Sequence, residues 1–199
     1  MKNILSILTL VFVFVSCTKN ENPFEEAIIK YFNENAKDPK SYESLELKII
    51  DTITAEDCAK LIIADNDINI AKNKMSILEK ESEISTRKLQ ISEFKNDKSI
   101  VADLNKSVES KQNLLNSFIK LNSDYAAESK SMSKFLNNKE SVAYLVLHKY
   151  RLKNGFGALD LFESYFTFDT NNVLINTSEK SSESFDSAIK KFKEIYLKK

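Results

Sequence analysis

The sequence predicts an α+β protein. A small antiparallel sheet of about four strands carries helices from both ends of the chain, and a long antiparallel helical hairpin, coiled-coil-like, is inserted after the first strand. Three observations predict it. Prolines stand only at 23 and 39 and glycines only at 155 and 157, so no strong breaker falls between Lys40 and Asn154. Inside that span two stretches of 41 residues, Ala55–Lys95 and Ser99–Lys139, meet at the polar quartet "NDKS" at 96–99, whose last residue opens the second stretch. Segments of period two stand at both feet. One continuous rod of about 85 residues would hold those feet some 125 Å apart. Folded back on itself, it returns the chain to its own base and lets the two strands pair.

The elements follow in order. "NPFEEAIIKYFNENAKDP" offers Asn22 as N-cap, Pro23 at the first helical position and Glu25 three residues after the cap. Phe24, Ile28, Tyr31 and Phe32 share one face, and the helix is expected to end near Lys37, ahead of Pro39. "SYESLELKIID" alternates, with Leu45, Leu47 and Ile49 on one side and Ser44, Glu46 and Lys48 on the other, as a strand with one wet face does.

"TAED" at 54–57 is a capping box that opens the inserted hairpin, residues 54–139. Ile63, Ile70, Ile77, Ile84 and Ile91 recur every seven residues, with Ile68, Met75, Leu78 and Leu89 expected to widen the stripe. The return arm carries Val101, Leu104, Val108, Leu115, Phe118, Tyr125, Met132 and Leu136 at 3–4 spacing. Lys111, Asn122 and Ser129 interrupt its seam.

"SVAYLVLHKYRL" (141–152) predicts a second strand, with Val142, Tyr144, Val146, His148 and Tyr150 on one side. Asn154-Gly155 predicts a tight turn with both central residues at positive φ, and Gly157 a bulge. A third strand over 158–168 changes phase near Glu163, where a bulge is expected. "DTNN" (169–172) is a turn, "VLIN" a short fourth strand. A closing helix from about Ser182 has Phe185, Ile189, Phe192 and Ile195 on one face and a basic last turn.

The first sixteen residues join Lys2 to an apolar run from Ile4 to Val15. That run is too short for the roughly 20 residues of a membrane-spanning helix and reads as a signal peptide, residues 1–16. "FVSC" before Thr18 resembles the lipobox of bacterial lipoproteins, with Phe14 where leucine is commoner. The resemblance implies that Cys17 becomes the lipidated N-terminus, carrying a diacylglyceryl thioether and a further acyl chain such as palmitate. Two or more chains anchor stably. Residues 17–22 then form a polar tether, and residues 23–53 with 140–199 an α+β body. Removing 1–16 takes Lys2 with it and leaves 28 of the 29 basic side chains against 29 acidic ones. A near-neutral chain has no general attraction for nucleic acid. Cys58 is left without a partner and reads as a small buried hydrophobe.

The only histidine, His148, lies in "LHKYRLKNGFGALD". The bland reading is a packed histidine beside a chain reversal. The sharper one is a contact for a small ligand, phosphate or lipid head group through His148, Tyr150, Arg151 and Lys153, between the sheet and the closing helix. Asp160 and Glu163 are conceivable acids, but no nucleophile, phosphate loop, paired-cysteine motif or metal-ligand spacing accompanies them. No catalytic residue, metal or cofactor is assigned.

"DPKSYE" (38–43) and "KNGFGA" (153–158) resemble paired signatures in small exported bacterial proteins and lipoproteins of uncharacterised function. There an Asp-Pro-x-Ser segment leads into the first strand and a Lys-Asn-x-(Phe/Tyr)-Gly-(Gly/Ala) turn joins two later ones. The resemblance covers roughly 23–53 and 140–176, leaves the hairpin out, and brings no catalytic residues. Together these readings predict a non-enzymatic lipoprotein of the bacterial cell envelope, most simply at the outer membrane, that meets a protein partner or a second copy through residues 54–139. A ligand- or lipid-binding module is the alternative, and a cell-wall or glycan hydrolase comes last.

Overall fold

The computed structural model describes residues 22–197. The signal segment, Cys17 and the tether as far as residue 21 lie outside the described residues. The elements are α1 (Glu25–Asn35), β1 (Glu43–Thr54), α2 (Ala55–Glu93), α3 (Lys98–Met132), β2 (Ser141–Lys153), β3 (Leu159–Asp169), β4 (Leu174–Ser178) and α4 (Ser181–Tyr196). The four strands form one antiparallel sheet in chain order, and α2 and α3 pack against each other as a hairpin. The α+β architecture is the expected one.

The first helix starts at Glu25, with Phe24 at the cap position and no side-chain cap bond, so the expected cap, Asn22, stands in the turn just before it. The Asn22 side-chain oxygen accepts from the Phe24 N–H at 3.1 Å and its carbonyl from the Glu25 N–H at 2.8 Å. The helix ends at Asn35, two residues before the expected stop. Phe24, Ile28 and Phe32 are its buried stripe.

β1 departs from simple alternation. Register shifts at Leu45 and Ile50 leave these residues without a paired partner on β2, and both are exposed. The shifts re-aim the strand. Ser44, Leu47 and Ile49 fall opposite Tyr150, His148 and Val146, whereas Ile53 falls opposite Ala143, on the other face. Uninterrupted alternation would put Ile53 on the side of Leu47. The second bulge carries it instead into the core under α4.

The sheet is covered on both faces. Tyr144, Val146 and Tyr150 of β2 and Phe166 and Phe168 of β3 pack with Phe24, Ile28 and Phe32 of α1. Ala143 and Asp169 face the opposite way, paired across the strands. Asp169 meets Lys191 of α4 at 2.9 Å. The stripe of α4 that goes inward is Ser184, Ala188 and Phe192 with Phe185, Ile189 and Tyr196 beside it. Ile195, expected on that face, is 43% exposed; it follows Phe192 by three residues, but Tyr196, four on, takes the inward place.

β3 pairs with β2 without a break from Leu159 to Asp169, so no bulge stands at Glu163. The phase change has another cause: Leu159 to Glu163 extend beyond both helices, where either face is wet. The turn before β3 also differs from expectation. Residues 154–158 form a longer loop in which the Gly157 N–H donates to the Asn154 carbonyl at 3.0 Å and the Asn154 N–H to the Ala158 carbonyl at 2.8 Å. The Asn154 side chain accepts from the N–H groups of Phe156 and Ala158. Of the two glycines only Gly157 has positive φ, at 85°. This is a turn closed by one left-handed residue, not a two-residue reversal. In the next turn Asp169 accepts from Asn171 and Val173, and Asn172 is left-handed at φ 60°.

The hairpin leaves the body without a linker. Thr54 caps α2 as expected: the Asp57 N–H donates to its hydroxyl at 3.2 Å, and its own N–H donates to the Asp57 carboxylate at 2.9 Å. Ala55, Cys58, Ala59 and Ile62, with Met132 and Phe135 on the returning side, share one core with Ala188 and Phe192 of α4. The first two turns of the hairpin therefore belong to the body. Cys58 is fully buried, and burial pushes its thiol up to about 12. It is packing, as the sequence suggests.

Candidate interaction surfaces

His148 is fixed by its two neighbours. Its Nδ1 lies 2.8 Å from the Glu46 carbonyl, which only accepts, so Nδ1 carries the proton. Nε2 of the neutral ring is then an acceptor and takes the Tyr42 hydroxyl proton at 2.7 Å. Burial lowers the His148 pKa, consistent with the neutral ring, and burial pushes the Tyr42 phenol up to about 12. Tyr150 stacks on His148 with centroids 5.2 Å apart and on Phe162 at 5.5 Å, and its hydroxyl reaches Ser164 at 3.2 Å. These rings form a filled aromatic layer under α1 that also pins the bulged part of β1.

The four residues singled out from the sequence are not one site. Alternation along β2 puts His148 and Tyr150 beneath α1 and Arg151 and Lys153 on the other face. Arg151 stands 3.9 Å from Glu43 and Lys153 4.0 Å from Asp38, and both are half-exposed. α4 lies toward the Ala143–Asp169 end, away from all four. Asp160 and Glu163 point to opposite faces of β3; the first accepts from Asn154 and the second meets Lys149 at 3.8 Å. Among the described residues no group of three or more His, Cys, Asp or Glu side chains could hold a metal.

The hairpin carries the more unusual surface. The heptad isoleucines 63, 70, 77, 84 and 91 face α3, with Ile84 the buried one among them. The alternate layer of the same seam is polar: Asn66, Asn73, Lys80 and Arg87 follow Ala59 at intervals of seven. Asn66, 3% exposed, donates to the Glu128 carboxylate at 3.0 Å and the Ser129 hydroxyl at 3.2 Å. Lys111 of α3 and Lys80 both bind the Glu83 carboxylate, and they hold its pKa down at about 2. The register set by these contacts puts Asn73 level with Asn122, whose side-chain oxygen is buried without a partner. Such layers fix register at some cost in stability.

Ile68, Met75, Leu78 and Leu89 do not widen this seam. Ile68 follows Ile63 by five residues, a rotation of about 140°, and the others fall on the same outer face. They are exposed by 52, 70, 60 and 66%, and Leu61 joins them at 40%. Fully burying such a side chain from water is worth about 1.5–3 kcal/mol, and covering one that is already half-buried about half of that. At its lower end the stripe meets a groove of about 620 Å³ between the hairpin root and α4, floored by Leu61, Ile62, Phe185 and Ile189 and rimmed by Asp65 and Asp186. In its wall, burial alone would raise the Glu128 carboxyl, but Lys193 at 2.9 Å and Asn66 outweigh it and hold the pKa below its ordinary range. The outer stripe was readable from its spacing. The groove was not, because α4 enters it from more than 100 residues away.

Comparison with protein-family models, with curated proteins and with solved structures finds no match to this chain. Among the described residues no helix is long and apolar enough to cross a membrane.

Proposed function

We propose that this chain is a non-enzymatic lipoprotein of the bacterial cell envelope, held to a membrane through acyl chains on Cys17, whose helical hairpin is an arm for binding a protein partner. The observation that carries the reading is the apolar stripe Leu61, Ile68, Met75, Leu78 and Leu89 on the outer side of α2. At 39 residues the helix is about 58 Å long, and most of it stands clear of the body. A row of large apolar side chains left in water on a rigid arm is a contact surface. The lipobox-like "FVSC" supplies the anchor, and no metal, cofactor or nucleic acid enters the reading.

The test keeps the hairpin root, which the body's core needs. Removing residues 73–122 joins two positions that lie level on α2 and α3 and spares Asn66, Glu128 and Lys193. Crosslinking in intact cells is expected to capture a partner with the full chain and lose it with the shortened one, which still folds. An identical capture by both proteins would refute the arm.

A further inference from the structure

The arm's outer face has more order than five apolar side chains. Ala64, Ala71, Ser82, Ser85 and Ser92 stand between the large residues, all exposed. The ten positions recur every three or four residues from 61 to 92, a second helix-packing seam opposite the first. Charge runs along its flanks in bands: Asp65 and Asp67, then Lys72 and Lys74, then Glu79 and Glu81, then Lys88.

Resting on the reading of the hairpin as an interaction arm, we infer that its occupant is a second copy of this chain, docked with the two α2 helices antiparallel about a two-fold axis between Met75 and Leu78. The bands set the register of this arrangement, and side-chain size its orientation. Parallel pairing in register also joins opposite signs, Asp67 to Lys72, Lys74 to Glu79 and Lys88 to Glu93, but it stacks Leu61, Ile68, Met75 and Leu89 each on its own copy and Ala64, Ala71, Ser85 and Ser92 likewise, alternating layers that one interhelical distance does not fit. Antiparallel pairing about that axis sets Lys72 against Glu79, Lys74 against Glu81 and Asp67 against Lys88, each twice by symmetry. Sliding the helices by one heptad brings like to like again. The same register sets large against small in three layers, Leu61 with Ser92, Leu89 with Ala64 and Ile68 with Ser85, while Met75 meets Leu78 at the axis and Ala71 meets Ser82 beside it. Charge thus chooses the register and size the orientation, over an overlap of about 47 Å. One like-charged meeting remains, Lys60 with Lys95 at the ends, and Lys60 is already held by Glu56 at 2.5 Å. The overlap also brings the second copy's hairpin tip, with its exposed Phe94, beside the groove floored by Leu61, Phe185 and Ile189.

The charge bands give the test. The full chain in mild detergent is compared with two variants, Lys72→Glu/Lys74→Glu and Glu79→Lys/Glu81→Lys, by sedimentation. The substituted side chains lie outside the α2–α3 seam, so helix content should not change. Wild type is expected to be a dimer at micromolar concentration, and each variant alone to associate about tenfold more weakly or worse. An equimolar mixture of the two is expected to recover the dimer, because every central pair is again opposite in sign. A monomeric wild type, variants that dimerise undiminished, or a mixture that does not recover would overturn the inference. Should it fall while residues 73–122 still hold a different protein in cells, the arm stands and only the second copy is withdrawn. If nothing is held either, both fall.

Discussion

Protonating His148 would put a charge into the buried aromatic layer and turn the Tyr42 hydroxyl from donor to acceptor at Nε2, while Nδ1 stays bound to the Glu46 carbonyl. The fold therefore holds the ring neutral, with its pKa below the ordinary 6.5 because of burial. As pH falls, the unfolded chain takes up this proton first. Stability is therefore full above about pH 6.5 and declines below it, by at most about 1.4 kcal/mol per pH unit. Urea unfolding across that range should show the decline, and His148→Gln should flatten it between about pH 6.5 and pH 5, before carboxylates titrate. Tyr42→Phe leaves Nε2 buried without its donor and should cost about 1–2 kcal/mol. The two glycines separate in the same assay. Gly157→Ala forces φ 85° on a side chain and should lose about 1 kcal/mol. Gly155→Ala, with open space around it and no positive φ, should be close to neutral. The sequence marked His148 as packed and the glycines as a corner; it could not show that Tyr42, more than 100 residues earlier, completes the bond.

Among the elements, helices were the most legible because their cues are local. The capping box at Thr54, the heptad isoleucines and the polar tip each depend on residues within a turn or two. β1 was misread past Ser44, since a bulge has no composition of its own and Ile53 reveals its side only when Ala143 is opposite. The seam of the hairpin invites a further measurement. Asn122 keeps a buried oxygen without a partner, so Asn122→Leu should raise the unfolding free energy by about 1 kcal/mol and loosen register specificity, seen as faster hydrogen exchange along the arm. Glu83 works the other way. Lys111 and Lys80 lower its pKa to about 2, so its contribution is present above about pH 4.5 and is lost as pH falls from there toward 2.

The whole molecule is a body and an arm that share one core. Strand order and the hairpin's return to its base could be argued from breakers and periods alone. The integration of the root into the body could not, because it depends on α4, the last element of the chain, reaching Ile62 and Met132. The split of His148 and Tyr150 from Arg151 and Lys153 was already implicit in the alternation of β2; that α1, and not α4, covers His148 was not. At this scale the anchor is a separate prediction: Cys17→Ser should move the protein from the membrane fraction to the soluble one, leaving the arm's chemistry unchanged. The central claim is that the outer face of α2 is covered by protein in the cell. The most direct measurement places a photo-crosslinking side chain at Met75, 70% exposed, and irradiates intact cells. A protein adduct is expected from Met75, either to the chain's own second copy or to a different protein. No such adduct should form from Phe156, which is fully exposed at the opposite end of the sheet. No adduct at Met75, or equal adducts at both positions, would contradict that claim.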